Sequence, residues 1–282
     1  MLTRHIIDSV VSNALAEDAP WGDLTAELVI PESATISTRL VAREPGVFAG
    51  GALVTAAFTQ LDPRTSVTDL LEEGQPFGTG DVLARIDGPA RGVLTGERVA
   101  LNFCQRMSGI ATLTSRFVGA VAHTRAQIAD TRKTTPGLRA LEKHAVRAGG
   151  GSNHRYGLSD AIMVKDNHLA ALGAVDSATT TEALRGLRAR AGHTTAIIVE
   201  VDRLEQIEPV LAANVTGILL DNFTPQQLVA GVKLIAGRAI AEASGGVNLD
   251  TVATIAETGV DVISVGQLTH GARALDLGLD AE

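Results

Sequence analysis

The sequence predicts an α/β protein in which a sheet-rich first domain precedes a βα barrel. Three observations support this prediction. Aliphatic runs recur along the second half of the chain, each ends in polar or charged residues, and the last four follow one another roughly every 21 residues. Helix-like stretches lie between those runs, which is the pattern of strands and helices that alternate around a parallel sheet. Aromatic residues make up only 3% of the 282 residues, so aliphatic side chains must fill the core, as they do in parallel strands.

The N-terminal third of the chain predicts short strands with few helices. A helical pattern runs to about Ala16, and a long helical stretch begins near Thr95. Between them, glycine and proline separate short apolar runs, as they do between the strands of a sheet. The predicted strands are Ile36 to Ala42, Gly46 to Ala49, Ser66 to Leu71 and Val82 to Ile86.

Six aliphatic runs predict the strands of the second domain, and three helical patterns lie between the last four of them. The carboxyl ends of the strands form the active-site face of such barrels. An open, doubly wound sheet is the alternative, but the short repeat and the polar residues at every strand end favour the barrel. The runs are Ile128 to Ala129, Ala161 to Val164, Ala196 to Val199, Gly217 to Leu220, Ala239 to Ala241 and Val260 to Ile263. The helical patterns are Leu204 to Ala213, Pro225 to Ala236 and Leu249 to Thr258.

The composition excludes several classes of function. The formal net charge is −8 and the pI is about 5.4, so the average surface repels nucleic acid and anionic membranes. No segment approaches the ~20 apolar residues of a membrane span, and we expect a cytoplasmic protein. The single cysteine, Cys104, lies in an apolar stretch and is expected in the core.

Cationic side chains lie at three sites next to the predicted strands. Arg132 and Lys133 follow the first, His154 and Arg155 lie in a glycine-rich segment after it, and Lys165 ends the next strand. In a barrel these groups converge at one mouth, where they suit a small molecule with more than one negative charge. Arginine pairs planar carboxylates through two contacts, and lysine supplies a compact charge. The alternative is a set of scattered surface charges.

Carboxylates end the following strands, and small residues end the last two. Glu200 and Asp221 are placed to bind sugar hydroxyls or a hydrated Mg²⁺, or alternatively to form a helix cap or an ion pair. Phosphate sites of βα barrels lie after the final two strands, where glycine exposes backbone N–H groups. The predicted phosphate-binding residues are Ser244, Gly245, Gly246, Ser264, Val265 and Gly266.

Long, ordered motifs then identify a family. The segments 131–139, 141–143, 149–155 and 164–168 form one near-continuous signature that resembles quinolinate phosphoribosyltransferase. The segments 96–102 and 106–112 match it as well, and so do the strand ends listed above. The resemblance covers nearly the whole chain, with one departure, His144, where the family leads us to expect tyrosine.

The resemblance implies an architecture. It comprises an N-terminal α/β, sandwich-like domain over residues 1–110 and an incomplete, seven-stranded α/β barrel over 111–267, with residues 268–282 returning to the first domain. The resemblance also implies a homodimer or larger homo-oligomer, in which Arg106 is lent to the active site of the neighbouring subunit.

The resemblance further implies a reaction, in which the phosphoribosyl group of phosphoribosyl pyrophosphate passes to quinolinate with loss of CO₂, giving nicotinate mononucleotide for NAD biosynthesis. Mg²⁺ is the expected cofactor, with Glu200 and Asp221 near it and near the ribose. The implied catalytic residues are Lys133, Lys165, Glu200 and Asp221. The implied substrate-binding residues are Arg106, Thr131, Arg132, Lys133, His154, Arg155, Lys165, Glu200 and Asp221, and the two serine-containing turns hold the 5-phosphate.

Two other functions fit parts of the pattern. One is a phosphoribosyltransferase-like protein linked to molybdenum handling on the same scaffold, and the other is a non-catalytic sensor of phosphorylated sugars. The three groups of cations favour a dicarboxylate over the first, and the presence of the acids and cations that a catalyst needs argues against the second.

Overall fold

A computed structural model describes residues 2–174 and 176–282. Met1 and Val175, which fall inside the two predicted domains, lie outside the described residues. The strands are β1 (Thr35–Ala42), β2 (Gly46–Val47), β3 (Ser66–Thr68), β4 (Pro76–Phe77), β5 (Val82–Pro89), β6 (Gln127–Ala129), β7 (Ile162–Val164), β8 (Ile197–Val201), β9 (Gly217–Asp221), β10 (Ile240–Ser244), β11 (Val262–Ser264) and β12 (Leu277–Ala281). The helices are α1 (Arg4–Asp18), α2 (Leu24–Val29), α3 (Gly51–Leu61), α4 (Ala90–Val121), α5 (Arg139–Ala148), α6 (Asp166–Ala171), α7 (Ser177–Arg190), α8 (Ile207–Leu211), α9 (Pro225–Ile235), α10 (Val252–Ala256) and α11 (Gln267–His270).

The chain forms two compact units. The first comprises Met1–Ser115, Thr134–Gly150 and Leu268–Glu282, and the second comprises Arg116–Lys133 and Gly151–Gln267. Within the described residues, no helix combines the length and the apolar character needed to cross a membrane.

An antiparallel sheet of order β12-β1-β5-β3 forms the centre of the first unit. The last strand, β12, pairs with β1 from Thr38↔Ala281 to Ala42↔Leu277. Glu44 accepts hydrogen bonds from the Arg273 guanidinium and from the backbone N–H of Asp276. These donors lower the pKa of Glu44 to about 2, because they favour the charged carboxylate. The segment leading into β12 is therefore fixed by charge as well as by strand pairing.

Helix α3 was not foreseen from the sequence. Most of its residues are buried, among them Leu53, Ala57 and Phe58, so the apolar and polar faces that reveal a surface helix are absent. The Glu73 carboxylate accepts hydrogen bonds from the first backbone N–H groups of this helix, and the His144 ring lies 2.9 Å from it. His144, the departure from the family pattern, thus contacts the residue that caps α3.

The second unit contains a parallel sheet of order β6-β11-β10-β9-β8-β7. The first strand of the unit lies beside the last, as in a barrel, whereas a doubly wound sheet reverses its strand order part-way. On its other side β6 carries a single parallel bridge, Ala129↔Ser152. This bridge occupies the place of the expected seventh strand, and the predicted fold class is confirmed.

The core of the second unit consists of aliphatic side chains, as its composition predicts. Ile218, Ile263 and Leu228 are at most 2% exposed. Helix α9 begins where the sequence places it, because Thr224 caps its N-terminus, the Gln227 side chain completes a capping box, and a proline occupies the first turn. In the first unit Cys104 is fully buried, as expected, and burial raises the pKa of its thiol to about 12.

Candidate active site

Polar side chains collect at the carboxyl ends of the parallel strands of the second unit. Lys165 directly follows β7, Glu200 lies near the end of β8, and Asp221 ends β9. Ser244 and Ser264 end β10 and β11. Asp221 and Ser244 are paired in register, and Glu200 pairs with Leu219 two residues before Asp221. The parallel register therefore places these groups at one edge of the sheet.

Lys165 and Glu200 form an ion pair, with 2.5 Å between Lys165 Nζ and Glu200 Oε2. The lysine side chain is 45% exposed and the glutamate side chain 19%, so a ligand at this edge can reach the ammonium group. The backbone N–H of Lys165 donates to His168 Nδ1 at 2.9 Å. His168 therefore fixes the turn from which Lys165 projects, and it does so through a ring nitrogen.

Asp221 is held by two side-chain donors. Ser244 Oγ donates to its Oδ1 at 2.6 Å, and Asn222 Nδ2 donates to its Oδ2 at 2.7 Å. Asn222 adopts a left-handed backbone conformation, with φ of +57°, and its N–H donates to the Ser244 carbonyl at 2.9 Å. The Asp221 carboxylate is thus held in place, with a direction set by the neighbouring strand.

Two guanidinium groups lie close to each other in the same unit. Burial lowers the pKa of Arg155, and the positive charge of Arg132 lowers it further, against the opposite effect of Asp160. Arg155 Nη1 donates to the Ala161 carbonyl at 3.2 Å. Arg132 Nε is buried without a hydrogen-bond partner among the described residues. Two like charges therefore lie close together, and Arg132 also has a buried N–H donor without a partner among the described residues. Both features favour the binding of an anion.

Asp130 organises the glycine-rich segment that carries His154. Its carboxylate is fully buried and accepts hydrogen bonds from Asn153 Nδ2 at 2.6 Å and from the backbone N–H of His154 at 2.8 Å. Asp130 was not among the site residues predicted from the sequence, although it directly follows an aliphatic run in the same way as they do.

His154 has both ring nitrogens engaged within the chain. Its Nδ1 accepts the backbone N–H of Arg155 at 2.7 Å, and its Nε2 lies 3.3 Å from Glu242 Oε1. The same Glu242 oxygen accepts a hydrogen bond from Ser264 Oγ. Glu242 was not among the site residues predicted from the sequence, because an acidic residue inside a strand gives no signal that distinguishes it from a surface charge.

Thr131 and Lys133 form a turn after β6. The backbone N–H of Lys133 donates to Thr131 Oγ1 at 3.0 Å, and the Lys133 side chain is exposed. The Thr131 hydroxyl oxygen is therefore an acceptor within the loop, in addition to its predicted place beside a ligand.

The two small-residue turns present different donors. The side-chain hydroxyls of Ser244 and Ser264 both donate to carboxylates, and the backbone N–H of Val265 donates to the Ala129 carbonyl. Within the described part of the chain, the backbone N–H groups of Gly245 and Gly246 have no hydrogen-bond partner. Gly266 lies directly before α11. The turn after β10 therefore has backbone N–H groups available as donors, and its role as a phosphate site stays a prediction.

Arg106 lies in the first unit and is bound within it. Its Nη1 donates to the Ala272 carbonyl at 2.5 Å, and its Nη2 donates to the Thr269 carbonyl at 2.5 Å and to Glu142 at 2.9 Å. The fully buried Glu142 also accepts from the backbone N–H and the hydroxyl of Thr135. These contacts make Arg106 a structural residue of its own chain, and none of them supports its expected role in a neighbouring subunit.

Two family models match consecutive parts of the chain. The N-terminal domain of quinolinate phosphoribosyl transferase matches residues 23–108, and the C-terminal domain of the same enzyme matches residues 110–280. Together the two models cover most of the sequence.

Curated relatives and solved structures agree with these matches. The carboxylating nicotinate-nucleotide pyrophosphorylase of Mycobacterium leprae is 45% identical over 96% of this chain and 95% of its own. The probable enzyme of the same name from Bacillus subtilis is 41% identical over 97% of this chain and 93% of its own. The crystal structure of NadC from Streptococcus pyogenes is 40% identical, with a TM-score of 0.93 over 100% of this chain and 99% of that one.

The glycines after β10 yield a test of the geometry of this turn. Gly245 has φ of +90°, and a Cβ atom there would lie 2.1 Å from Asn222 Oδ1, whereas Gly246 has φ of +64° and open space around it. We expect Gly245→Ala to lower the free energy of unfolding by about 2–4 kcal/mol, from backbone strain and steric overlap together. Gly246→Ala should cost only about 1–2 kcal/mol, from the left-handed conformation alone.

Denaturant unfolding of the two variants measures this difference, and each serves as the control for the other. Equal losses of stability would mean that the contact between Gly245 and Asn222 does not constrain the turn.

Proposed function

We propose, from the premise that this chain belongs to the quinolinate phosphoribosyltransferase family, that it transfers the phosphoribosyl group of phosphoribosyl pyrophosphate to quinolinate. The products are nicotinate mononucleotide, pyrophosphate and CO₂, and the enzyme is a pentosyltransferase of NAD biosynthesis. The observation that supports this substrate best is the pair Arg132 and Arg155, two neighbouring guanidinium groups with a buried N–H group that lacks a partner.

Quinolinate carries two adjacent carboxylates, and the cationic side chains suit both. The guanidinium groups of Arg132 and Arg155 bind planar carboxylates through paired N–H donors, and their mutual repulsion is relieved when an anion lies between them. Lys165 adds a compact charge that already pairs with a carboxylate, Glu200. Lys133, exposed on the loop after β6, supplies a fourth cation.

The transfer step forms a bond from the pyridine nitrogen to the anomeric carbon of the ribose, while the bond from that carbon to pyrophosphate breaks. Positive charge develops on the ribose during this step. The carboxylates of Glu200 and Asp221 are suited to hold ribose hydroxyls and to stabilise that charge, because they are fixed before the substrate binds. Asp221 is fixed by Ser244 and Asn222, and Glu200 by Lys165.

Decarboxylation follows from the change in the ring. Once the nitrogen carries the ribose, its positive charge stabilises the electron pair left on the adjacent carbon when CO₂ departs, and that carbon then takes up a proton. Cations that orient the retained carboxylate fix which carboxylate is lost. Specificity for quinolinate therefore depends on the pairing of its carboxylates with these cationic side chains.

The side chains fit the expected use of Mg²⁺. Among residues 2–174 and 176–282, no group of three or more His, Cys, Asp or Glu side chains is arranged to hold a metal ion. Glu200 and Asp221 are two carboxylates on neighbouring strands, and Mg²⁺ is commonly bound by one or two carboxylates together with water and substrate phosphates. When bound in this way, Mg²⁺ neutralises negative charge on the departing pyrophosphate.

A homo-oligomer with a shared active site remains part of this proposal, with a different arginine. An arginine that reaches a neighbouring subunit must be exposed in its own chain, and Arg106 is bound internally. On α4, Arg98 and Arg116 are exposed. Arg98 lies within the segment 96–102 that carries the family resemblance, so we favour Arg98.

A cytoplasmic location also remains a prediction.

The proposed reaction is tested by incubating the purified protein with quinolinate, phosphoribosyl pyrophosphate and Mg²⁺. Nicotinate mononucleotide and CO₂ should form in equal amounts. Tight binding of the phosphorylated sugar without product would contradict the proposed reaction and favour a sensor of phosphorylated sugars.

Substitution of the cations should impair catalysis far more than folding. We expect Lys165→Ala and Arg155→Ala each to lower kcat/KM for quinolinate at least about 30-fold, as the loss of a charged contact of about 2–5 kcal/mol implies, with thermal unfolding nearly unchanged. Lys233→Ala, which removes an exposed lysine on α9, is the matched control. Wild-type kcat/KM in either site variant would show that the cation is not needed.

Subunit mixing tests the shared site. Arg98→Ala and Lys165→Ala should each be inactive alone. After exchange of subunits the mixture should regain about a quarter of wild-type activity, because half of randomly formed dimers are mixed and each contains one intact site. The absence of recovery, after exchange has been demonstrated by differently tagged chains, would contradict a site shared through Arg98.

A further inference from the structure

Glu242 is a buried carboxylate that the reaction described above does not use. It lies in the middle of β10, and its side chain is about 5% exposed. A carboxylate in such a position is costly to bury unless it is hydrogen-bonded or paired. Its partners are therefore informative about its role.

Its two contacts lie on different parts of the sheet. Ser264, which donates its hydroxyl to Glu242 Oε1, ends the adjacent strand β11. His154, whose Nε2 is 3.3 Å from the same oxygen, lies in the segment that joins the far side of β6 through the Ala129↔Ser152 bridge. One carboxylate oxygen on β10 thus contacts the last residue of β11 and, across β11 and β6, the segment that carries Arg155.

The contact with Arg155 determines which nitrogen of the neutral His154 ring carries the proton. Because Nδ1 accepts the backbone N–H of Arg155, it carries no proton, and the neutral ring must carry its proton on Nε2. That nitrogen faces Glu242. A carboxylate beside the protonated nitrogen of a histidine stabilises this tautomer and holds the ring in place, as in other carboxylate–histidine pairs.

We propose that Glu242 is a positioning residue, which orients His154 and thereby Arg155 on one side and Ser264 on the other. It fixes the spacing between the groups that bind the carboxylates of quinolinate and the turn near the 5-phosphate. This inference rests on the proposed function. In this arrangement His154 acts through the backbone of Arg155, and it does not donate a hydrogen bond to quinolinate directly.

Steady-state kinetics of two variants test the coupling. Glu242→Ala removes both contacts, and we expect the KM values for quinolinate and for phosphoribosyl pyrophosphate to rise together by about tenfold or more, with kcat changed less than about threefold. Glu242→Gln keeps an acceptor oxygen in the same place, so it should restore both KM values to within about threefold of wild type. Glu208→Gln, which alters an exposed ion pair with Arg238 in the same unit, is the control.

A substitution at His154 separates the two roles of the ring. The side-chain oxygen of Asn can replace Nδ1 as the acceptor for the Arg155 N–H, so His154→Asn should retain more of the wild-type affinity for quinolinate than His154→Ala. Equal losses in both variants would mean that the ring itself binds the substrate, and would overturn the positioning role.

The tautomer is measurable without any activity. Two-bond ¹⁵N–¹H correlation spectra of the histidine rings should show His154 protonated at Nε2 and not at Nδ1 in the wild-type protein, assigned by comparison with His154→Asn. A proton on Nδ1 would overturn the proposal, even if Glu242→Ala fails to fold. A KM change for only one substrate, or for neither, in folded Glu242→Ala would overturn it as well.

These outcomes are distinguishable from failure of the proposed function. If the wild-type protein does not convert quinolinate, the function fails and the coupling has no kinetic consequence. The spectra still show whether the His154 ring carries its proton on Nε2, the nitrogen that faces Glu242.

Discussion

The hydrogen bonding of buried carboxylates within the chain is the constraint on which the site depends. Asp130 and Glu242 are almost completely buried in the second unit, and an unpaired charge in such a position costs several kcal/mol. Each is therefore surrounded by donors from other segments. Asp130 holds Asn153 and the backbone of His154, and Glu242 holds Ser264 and faces the His154 ring. The positions of the strand-end loops follow from this requirement, because the loops carry the donors.

The anionic and cationic groups at the site differ in whether their hydrogen-bonding atoms have partners within the chain. The carboxylates Glu200, Asp221 and Glu242 all have partners from the chain, whereas Arg132 and the Gly245–Gly246 turn retain donors without partners among the described residues. Donors without partners favour anionic ligands, although the formal net charge of the chain is −8. Local geometry, and not the average charge, therefore determines what binds.

The fold and the family were predictable from the sequence, because strand patterning and long ordered motifs are local signals. Helix α9 was predicted closely since its cap and proline lie next to each other in the chain. Helix α3 was missed because burial on most sides removes its amphipathic pattern.

Predicted residues were found at the strand ends, but their contacts were not foreseeable. Glu242 resembles any acidic residue in sequence, and only folding brings Ser264 and His154 to it. For the same reason, no motif could show that the Arg106 guanidinium would bind the carbonyl groups of Thr269 and Ala272. The roles of these residues in catalysis stay predictions until the variants are measured.

The pairing of β12 with β1 has a consequence for the synthesis of the protein. On a ribosome that adds about 5–20 residues per second, the roughly 190 residues between β5 and β12 take on the order of 10–40 s to appear. Throughout that interval one edge of β1 has no partner strand, and open edges of this kind promote aggregation. Nascent chains that stall before β12 emerges would expose the same edge, so chaperone demand should be concentrated on the first unit, even though most of its sheet is encoded early.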